Sequence, residues 1–365
     1  MNAHKGADIV AANTGMRVTS DATTASTRPN GGARRTPVMA DVARLAGVSH
    51  QTVSRVLHDS PNVRAQTRER VLEAMRSLEY RPNSVARALV TGRTRTLGVV
   101  SFDTTLYGPA STLLAIEQAA HDAGYFVSIV SLRVVDRESV LNGLRRLGEQ
   151  GADGAVVIAP QESAADALRD LPVGLPVVVA EAGPDDALPV VAVDQFAGGR
   201  AATEHLLELG HRTVWHVAGP PDWLESQERL AGWRAALADA GADAPAPLPG
   251  DWSPASGYAL GRRLLAAEVT AVFVGNDQMA LGLLRAFHEA GREVPRDCSV
   301  VGFDDIPESA YLTPPLTTIR QDFGEVGRRS VRTLLGSIHG TGQEPQRDVV
   351  APELVVRAST AAPAA

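Results

Sequence analysis

Between positions 97 and 303 short apolar runs alternate with stretches of helical periodicity, and this alternation restricts the fold more than any other feature of the chain. The runs are LGVVSF (97–102), YFVSIV (125–130), GAVVIA (154–159), PVVVAE (176–181), VVAV (190–193), VWHVAG (214–219), AVFVG (271–275) and SVVGF (299–303). Helical stretches such as 113–123, 197–209, 224–240 and 278–290 lie between them. Strands that are apolar on both faces and separated by helices belong to a parallel sheet covered on both sides, a doubly wound α/β architecture. So many strands over about 270 residues indicate two sheets rather than one. Right-handed crossovers would place ligand sites beyond the carboxyl ends of the strands, and a cleft between two such lobes is a natural small-molecule site.

The remaining quarter of the chain has a different character. The formal charge is −7 over 365 residues. Residues 1–93 hold 14 Lys+Arg against 7 Asp+Glu, whereas residues 94–365 hold 21 against 35. A basic head on an acidic body suits a nucleic-acid module joined to something else. The single cysteine, Cys298, excludes an internal disulfide framework and any multi-cysteine zinc site, and points to the cytoplasm. No run of about 18 apolar residues exists to span a bilayer, so no membrane role is expected. Residues 1–36 are rich in Thr, Ala, Asn and Gly without a continuous apolar stretch, and read as a disordered leader rather than an export signal.

Within the basic head, VMADVARLAGVSHQTVSRVLHDSPNVRAQTRERVLEAMRSLEY has helix-turn-helix spacing. Val42, Ala43, Leu45 and Ala46 form the apolar face of a short first helix, Gly47 permits a tight turn and Val48 plugs the gap between two helices. Ser49 is a good N-cap for a second helix with Val53, Val56 and Leu57 inward. A third helix runs from about 65 to 78, with Val71, Leu72, Met75 and Leu78 inward. The second helix would enter a major groove. Its side chains His50, Gln51 and Arg55 lie off the apolar face, and Gln and Arg suit adenine and guanine edges. Thr52, Ser54, Asn62 and Thr67 are candidates for backbone phosphate contacts, and Ser49 at the helix start belongs to the same DNA-facing set. After Pro82, NSVARALVTG spells a two-turn helix that would be marginal alone in water. Asn83 can cap it. With Ala86 and Arg87 against DNA, Leu89 would serve as a minor-groove wedge.

In the acidic body the informative polar residues fall at strand ends. Glu181 ends one strand, Asn276 and Asp277 follow another, and Asp304 follows VVGF. Arg229 lies in ESQERLAGW, Trp252 in GDWSPASGY, and Phe323 in TTIRQDF. Carboxylates and amides take hydrogen bonds from sugar hydroxyls, Arg donates to them, and Trp or Phe faces the apolar side of a sugar ring. Asp277 is equally suited to capping the helix it begins, and Trp252 to core packing.

The stretch DVARLAGVSHQTVSRVL…RPNSVARAL strongly resembles the LacI/GalR family of bacterial transcriptional regulators, and the resemblance runs from about 38 to 358. It implies a helix-turn-helix headpiece, a hinge helix and a two-lobed, periplasmic-binding-protein-like effector domain. The motifs RLAGW, GNDQMALG, VVGFDD and PPLTTIRQDF are especially similar to the lactose-repressor branch. That branch implies sugar-hydroxyl contacts for Arg229, Asn276 and Asp304, and a ring cover for Trp252. Glu181 stands where it has Asp, Ile158 where it has Asn in the cleft region, and His50 where it has Tyr.

An enzyme is not expected. No GxGxxG turn, phosphate loop, GxSxG elbow or HExxH pair is present, and His205, His211 and His216 read as packing or surface residues. No cofactor is called for. The expected protein is a cytoplasmic, nucleoid-associated homodimeric repressor. It binds double-stranded operator DNA, and a small sugar, a galactoside or glucoside, controls its affinity. The alternatives are a corepressor or non-sugar effector on the same regulator, and a sugar-binding protein without a DNA role. No leucine heptad follows PELVVRAS (352–359), hence a dimer rather than a tetramer. The expected domains are a leader to 36, a headpiece at 37–82, a hinge at 83–93, an N-terminal lobe at 94–193 plus about 321–345, and a C-terminal lobe at 194–320 plus about 346–360.

Overall fold

The computed structural model describes residues 37–57, 60–80, 92–102, 105–134, 136–158, 161–163, 168, 174–181, 188–341 and 347–364. It divides after Pro82 into two compact units. The leader and the hinge positions Asn83, Ala86, Arg87 and Leu89 lie outside the described residues.

Among the described residues the first unit has three helices, α1 (Met39–Ala46), α2 (His50–Leu57) and α3 (Ala65–Ser77). The carboxylate of Asp41 accepts the Val38 backbone N–H at 3.0 Å and pairs with Arg44, fixing the start of α1. Gly47 ends it with φ 63°, a left-handed turn that costs a glycine little, and Val48 N–H returns to the Ala43 carbonyl at 3.0 Å. Ser49 caps α2 as expected, its Oγ accepting Thr52 N–H at 3.1 Å. Val42, Ala43, Ala46, Val53, Val56, Val71 and Ala74 form the core, with Val48 packed against it. Two expectations fail. Leu45 and Leu72 are exposed, because each lies beside, not on, the stripe its helix turns inward, and Ala74 fills the α3 position instead. The Arg68 guanidinium donates to the Ser60 carbonyl at 2.9 Å, tying the loop after α2 to α3.

The second unit contains two sheets of six strands. The first is ordered β11-β5-β4-β3-β1-β2 and is wholly parallel: β1 (Thr96–Phe102), β2 (Phe126–Leu132), β3 (Gly154–Ile158), β4 (Val177–Ala180), β5 (Val190–Val193) and β11 (Arg347–Val350). Helices α4 (Tyr107–Asp122), α5 (Arg137–Glu149) and α10 (Phe323–His339) flank it. The second is ordered β12-β10-β9-β8-β6-β7, from β6 (Trp215–Ala218), β7 (Leu248–Pro249), β8 (Ala271–Val274), β9 (Ser299–Asp304), β10 (Thr317–Arg320) and β12 (Glu353–Val355). Among the described strands only β12 runs antiparallel, against β10. Helices α6 (Gln195–Glu208), α7 (Leu224–Asp239), α8 (Pro254–Leu264) and α9 (Asp277–Glu289) cover it.

Each sheet is buried on both faces, with one apolar cluster per face. Strands such as GAVVI and AVFV are therefore buried at every residue, which is why they read as unbroken apolar runs. The chain crosses between lobes after β5, after β10 and again between Val350 and Glu353. That last crossing comes later than the expected 345/346, because residues 347–350 first complete the N-terminal sheet beside β5. The strands β7, β10 and β11, of two to four residues, are too short to stand out in the sequence.

Candidate functional site

The strand ends carrying Asn276 and Asp304 meet in one cleft between the lobes. Its non-protein space, part of it open to solvent, is roughly 350 Å³. Tyr107, Gly108 and Pro109 of the N-terminal lobe line one side; Arg229, Trp252, Asn276 and Asp304 line the other, with Gln321 and Phe323 at the crossing.

Arg229 is at the centre. It projects from the second turn of α7 and is 4 % exposed. Its Nε donates to Gln195 Oε1 at 2.8 Å and its Nη1 to the Gly275 carbonyl at 2.5 Å. Gln195 Nε2 donates to Gln321 Oε1 at 2.7 Å, and Gln321 Nε2 donates to Asp304 Oδ1 at 2.7 Å. That oxygen lies 3.7 Å from Arg229 Nη2, closing a ring of four side chains. The guanidinium rests 3.9 Å above the Phe303 ring and 5.3 Å from that of Trp252. The close approach of α6 to α7 makes this possible. A Cβ on Gly199 would overlap the Arg229 backbone and one on Gly232 the Phe196 backbone, so both positions take glycine.

Aromatic rings wall the ring of polar groups. Trp252 stands edge-on to Trp223 at 5.6 Å, and Phe323 edge-on to Tyr107 at 5.9 Å. Trp252 is seated over Gly219, where a Cβ would overlap its indole. Three of the candidate residues hold left-handed backbones that non-glycine residues avoid: Glu181 (φ 65°), Trp252 (φ 68°) and Asp304 (φ 107°). Such conformations cost about 1 kcal/mol or more each and persist where surrounding structure enforces them, often at functional sites.

Carboxyl groups crowd the cleft. Burial pushes Asp304 up to about 7 although Arg229 and Gln321 pull it down. Burial likewise lifts Glu181 to about 7, against the opposing hydrogen bond from Thr112. Glu225 is driven to about 8 by burial and by the negative charge of Glu181.

Asn276 reaches the cleft but is fully engaged: its Oδ1 caps α9 by accepting Met279 N–H at 2.9 Å, and its Nδ2 donates to the Trp252 carbonyl at 3.1 Å. Asp277, expected either as a contact or as that cap, is neither. It is buried behind the site, accepting from Ile306 N–H at 3.0 Å, Ser309 Oγ at 2.6 Å and Thr318 Oγ1 at 2.6 Å. It braces α9 against the β9 and β10 ends. Ile158 is also displaced from the expectation, lying fully buried in the N-terminal core because its strand position faces a helix rather than the cleft. Glu181 lies just beyond the main lining, in a smaller cavity that shares Glu225 with it. His216 is sandwiched between Phe273 and Trp233, and burial lowers it to about 4. His205 and His211 bond to Thr360 and Ala361 near the end of the chain. Among the described residues no cluster suited to a metal ion occurs.

On the first unit His50, Gln51 and Arg55 are exposed on α2, and Asn62 is exposed in the following loop. Thr52, Ser54 and Thr67 are half-buried. Ser49 is spent on the cap and on Thr52 Oγ1 at 2.9 Å.

Two family models match: "Bacterial regulatory proteins, lacI family" over residues 38–83, and "Periplasmic binding protein-like domain" over 203–360. The HTH-type transcriptional regulator CelR of Thermobifida fusca is 37 % identical over 89 % of this chain and 99 % of its own length. The chain belongs to the LacI family of bacterial regulatory proteins. The lactose operon repressor of Escherichia coli is 35 % identical over 88 % of the chain and 90 % of its own, and the transcriptional repressor PurR of Haemophilus influenzae 35 % over 87 % and 97 %. Among solved structures, the lac repressor dimer bound to operator and the anti-inducer ONPF matches with a TM-score of 0.81 at 34 % identity. That match covers 90 % of this chain and all of the other. The CelR–cellobiose complex matches with 0.66 at 33 %, over 88 % and 99 %. These relatives are transcriptional regulators, and so is this LacI-family protein; it is not an enzyme.

Sequence reasoning missed Gln195, Trp223 and Glu225 as site residues. Gln195 follows an Asp that caps α6 and reads as helix surface, and Glu225 reads as an ordinary first-turn acid. The motif TTIRQDF did carry Gln321 beside Phe323, but nothing local marks it as the partner of a residue 126 positions away.

Proposed function

We propose that the protein is a homodimeric, cytoplasmic repressor acting on the nucleoid, and that a sugar bound between its lobes lowers its affinity for operator DNA. The ring Arg229–Gln195–Gln321–Asp304 carries this reading. It sets charged and polar donors and acceptors in the cleft, with Trp223, Trp252 and Phe323 lining the same space, the combination a pyranose requires. Galactosides and glucosides are the ligands of choice, and the likeness to a cellobiose complex puts β-linked glucosides first.

In the headpiece Gln51 and Arg55 read base edges with His50 beside them, while Thr52, Ser54, Asn62 and Thr67 position it on phosphates and Ser49 holds the start of the reading helix. Asn83, Ala86 and Arg87 belong to a hinge at 83–93 that orders on DNA and inserts Leu89 into the minor groove. The hinge leads into β1 of the N-terminal lobe, so a sugar that re-sets one lobe against the other changes the spacing of the two hinges in a dimer. Exposed Leu114, Phe126 and Ile129 on that lobe supply apolar surface for the second copy. The ligand has to favour one state by about 1–3 kcal/mol.

A gel-shift titration of the operator complex with galactosides, glucosides and cellobiose tests the reading. Release of DNA by one of them is the expected result. A ligand that instead tightens the complex would make it a corepressor, and a panel without effect would remove the sugar.

A further inference from the structure

Behind the ring lies a second, small cavity of about 10 Å³, room for one water-sized group, lined by Glu181, Glu225, Glu228, Leu224, Gln195 and Arg347 among others. Glu225 lines both this cavity and the main cleft. Its charges do not balance. Arg347 is taken by Glu228 at 2.8 Å. Arg229 is 4.0 Å from Glu225, but it already serves Gln195, the Gly275 carbonyl and Asp304. Among the described residues, Glu181 and Glu225 are left to share what remains of one guanidinium. Glu181 Oε1 accepts from Thr112, and its Oε2 has no hydrogen-bond partner although the residue is only 4 % exposed. A buried acceptor without a donor is costly, and a buried carboxylate without a counter-charge more so.

A hydroxyl would satisfy the acceptor and leave the charge. An ammonium satisfies both, with three donors on one atom. We propose that the effector is an amino sugar whose protonated amine enters this cavity and bridges Glu181 Oε2 to Glu225. The inference rests on the sugar reading and names the class of sugar.

The free protein holds the pair partly protonated, since burial raises both groups into the neutral range. Asp304 and Glu228 add negative charge around it, Arg229 and Arg347 positive, and Thr112 donates from α4. An ammonium ligand displaces the bound proton to solvent, so its affinity rises with pH toward neutrality. A neutral sugar closing on the same pair needs the protons kept, so its affinity falls over the same range.

Binding of glucosamine, galactosamine and the β-1,4-linked glucosamine dimer to the full chain is followed by tryptophan fluorescence between pH 6 and 7.5. Each is compared with its hydroxyl and its N-acetyl counterpart. The amine should bind roughly tenfold or more tightly than either counterpart at pH 7. Its advantage should grow with pH and collapse in Glu181→Gln and in Glu225→Gln, with urea unfolding confirming that the variants are folded. Equal or tighter binding of the neutral sugars overturns the inference, as does an amine preference that survives both substitutions. Neutral sugars that bind without an amine preference defeat only the inference; a panel in which nothing binds defeats the sugar reading with it.

Discussion

Replacing Arg229 with Met keeps the stem on Phe303 and removes the one guanidinium at the centre of the cleft, so the loss separates into two parts. The first is independent of pH. Gln195 Oε1 and the Gly275 carbonyl lose their charged donor. Two such bonds, offset by the retained packing of the methionine, amount to about 2 kcal/mol. The second part is electrostatic. Glu181, Glu225 and Asp304 ionise at about 7, 8 and 7 in the folded protein, well above the ordinary 4.5, 4.5 and 3.8, and in each case Arg229 opposes the rise. Because the folded values are raised, the stability these groups contribute is present in acid and lost as pH rises through 7 to 8. Without Arg229 the folded values rise further, and the variant retains about one more proton than wild type at pH 8. One proton held across two pH units is worth at most about 2.7 kcal/mol. Since the wild-type groups themselves titrate within that window, about half of it applies. Arg229→Met should therefore cost about 2 kcal/mol at pH 6 and 3–4 kcal/mol at pH 8. All four tryptophans lie between positions 215 and 252, so urea unfolding followed by their emission reports on this lobe. A loss equal at the two pH values, or smaller at pH 8, would refute the account of Arg229 as the counter-charge of the cleft.

Gly219→Ala puts a methyl where the Trp252 indole lies, and should displace the ring, cost about 1–3 kcal/mol and weaken the sugar response in gel shifts. Asp277→Ala orphans the Ile306 N–H and the hydroxyls of Ser309 and Thr318, and urea unfolding should show a loss of about 3 kcal/mol or more, with Asp277→Asn much milder because the hydroxyls can turn. Gln51→Ala, on an exposed face of α2, should weaken specific operator binding by about 1–3 kcal/mol and leave the headpiece melting temperature unchanged; a lowered melting point would make Gln51 a structural residue.

The parts of the molecule that were legible in the sequence are those set by near neighbours. GAVVI and AVFV are apolar at every position because both faces are buried, and that pattern needs no knowledge of what buries them. Gly47, Ser49 and the Val53–Val56 stripe define the turn and second helix of the headpiece within a dozen residues. Arg229, Trp252, Asp304 and Phe323 were found because they sit in strongly patterned motifs at element ends, and the cleft does bring them together. What the tertiary structure alone decided is which polar groups share a contact. Asp277 and Asn276 are adjacent in the chain, yet one braces the strand ends and the other lines the cleft. Gln195 and Gln321 meet from opposite lobe crossings, and Glu225 becomes a site residue only because Glu181 is brought to its side. Periodicity and capping are properties of a few consecutive residues; the balance of buried charge depends on distances between residues that the fold, and not the order of the chain, sets.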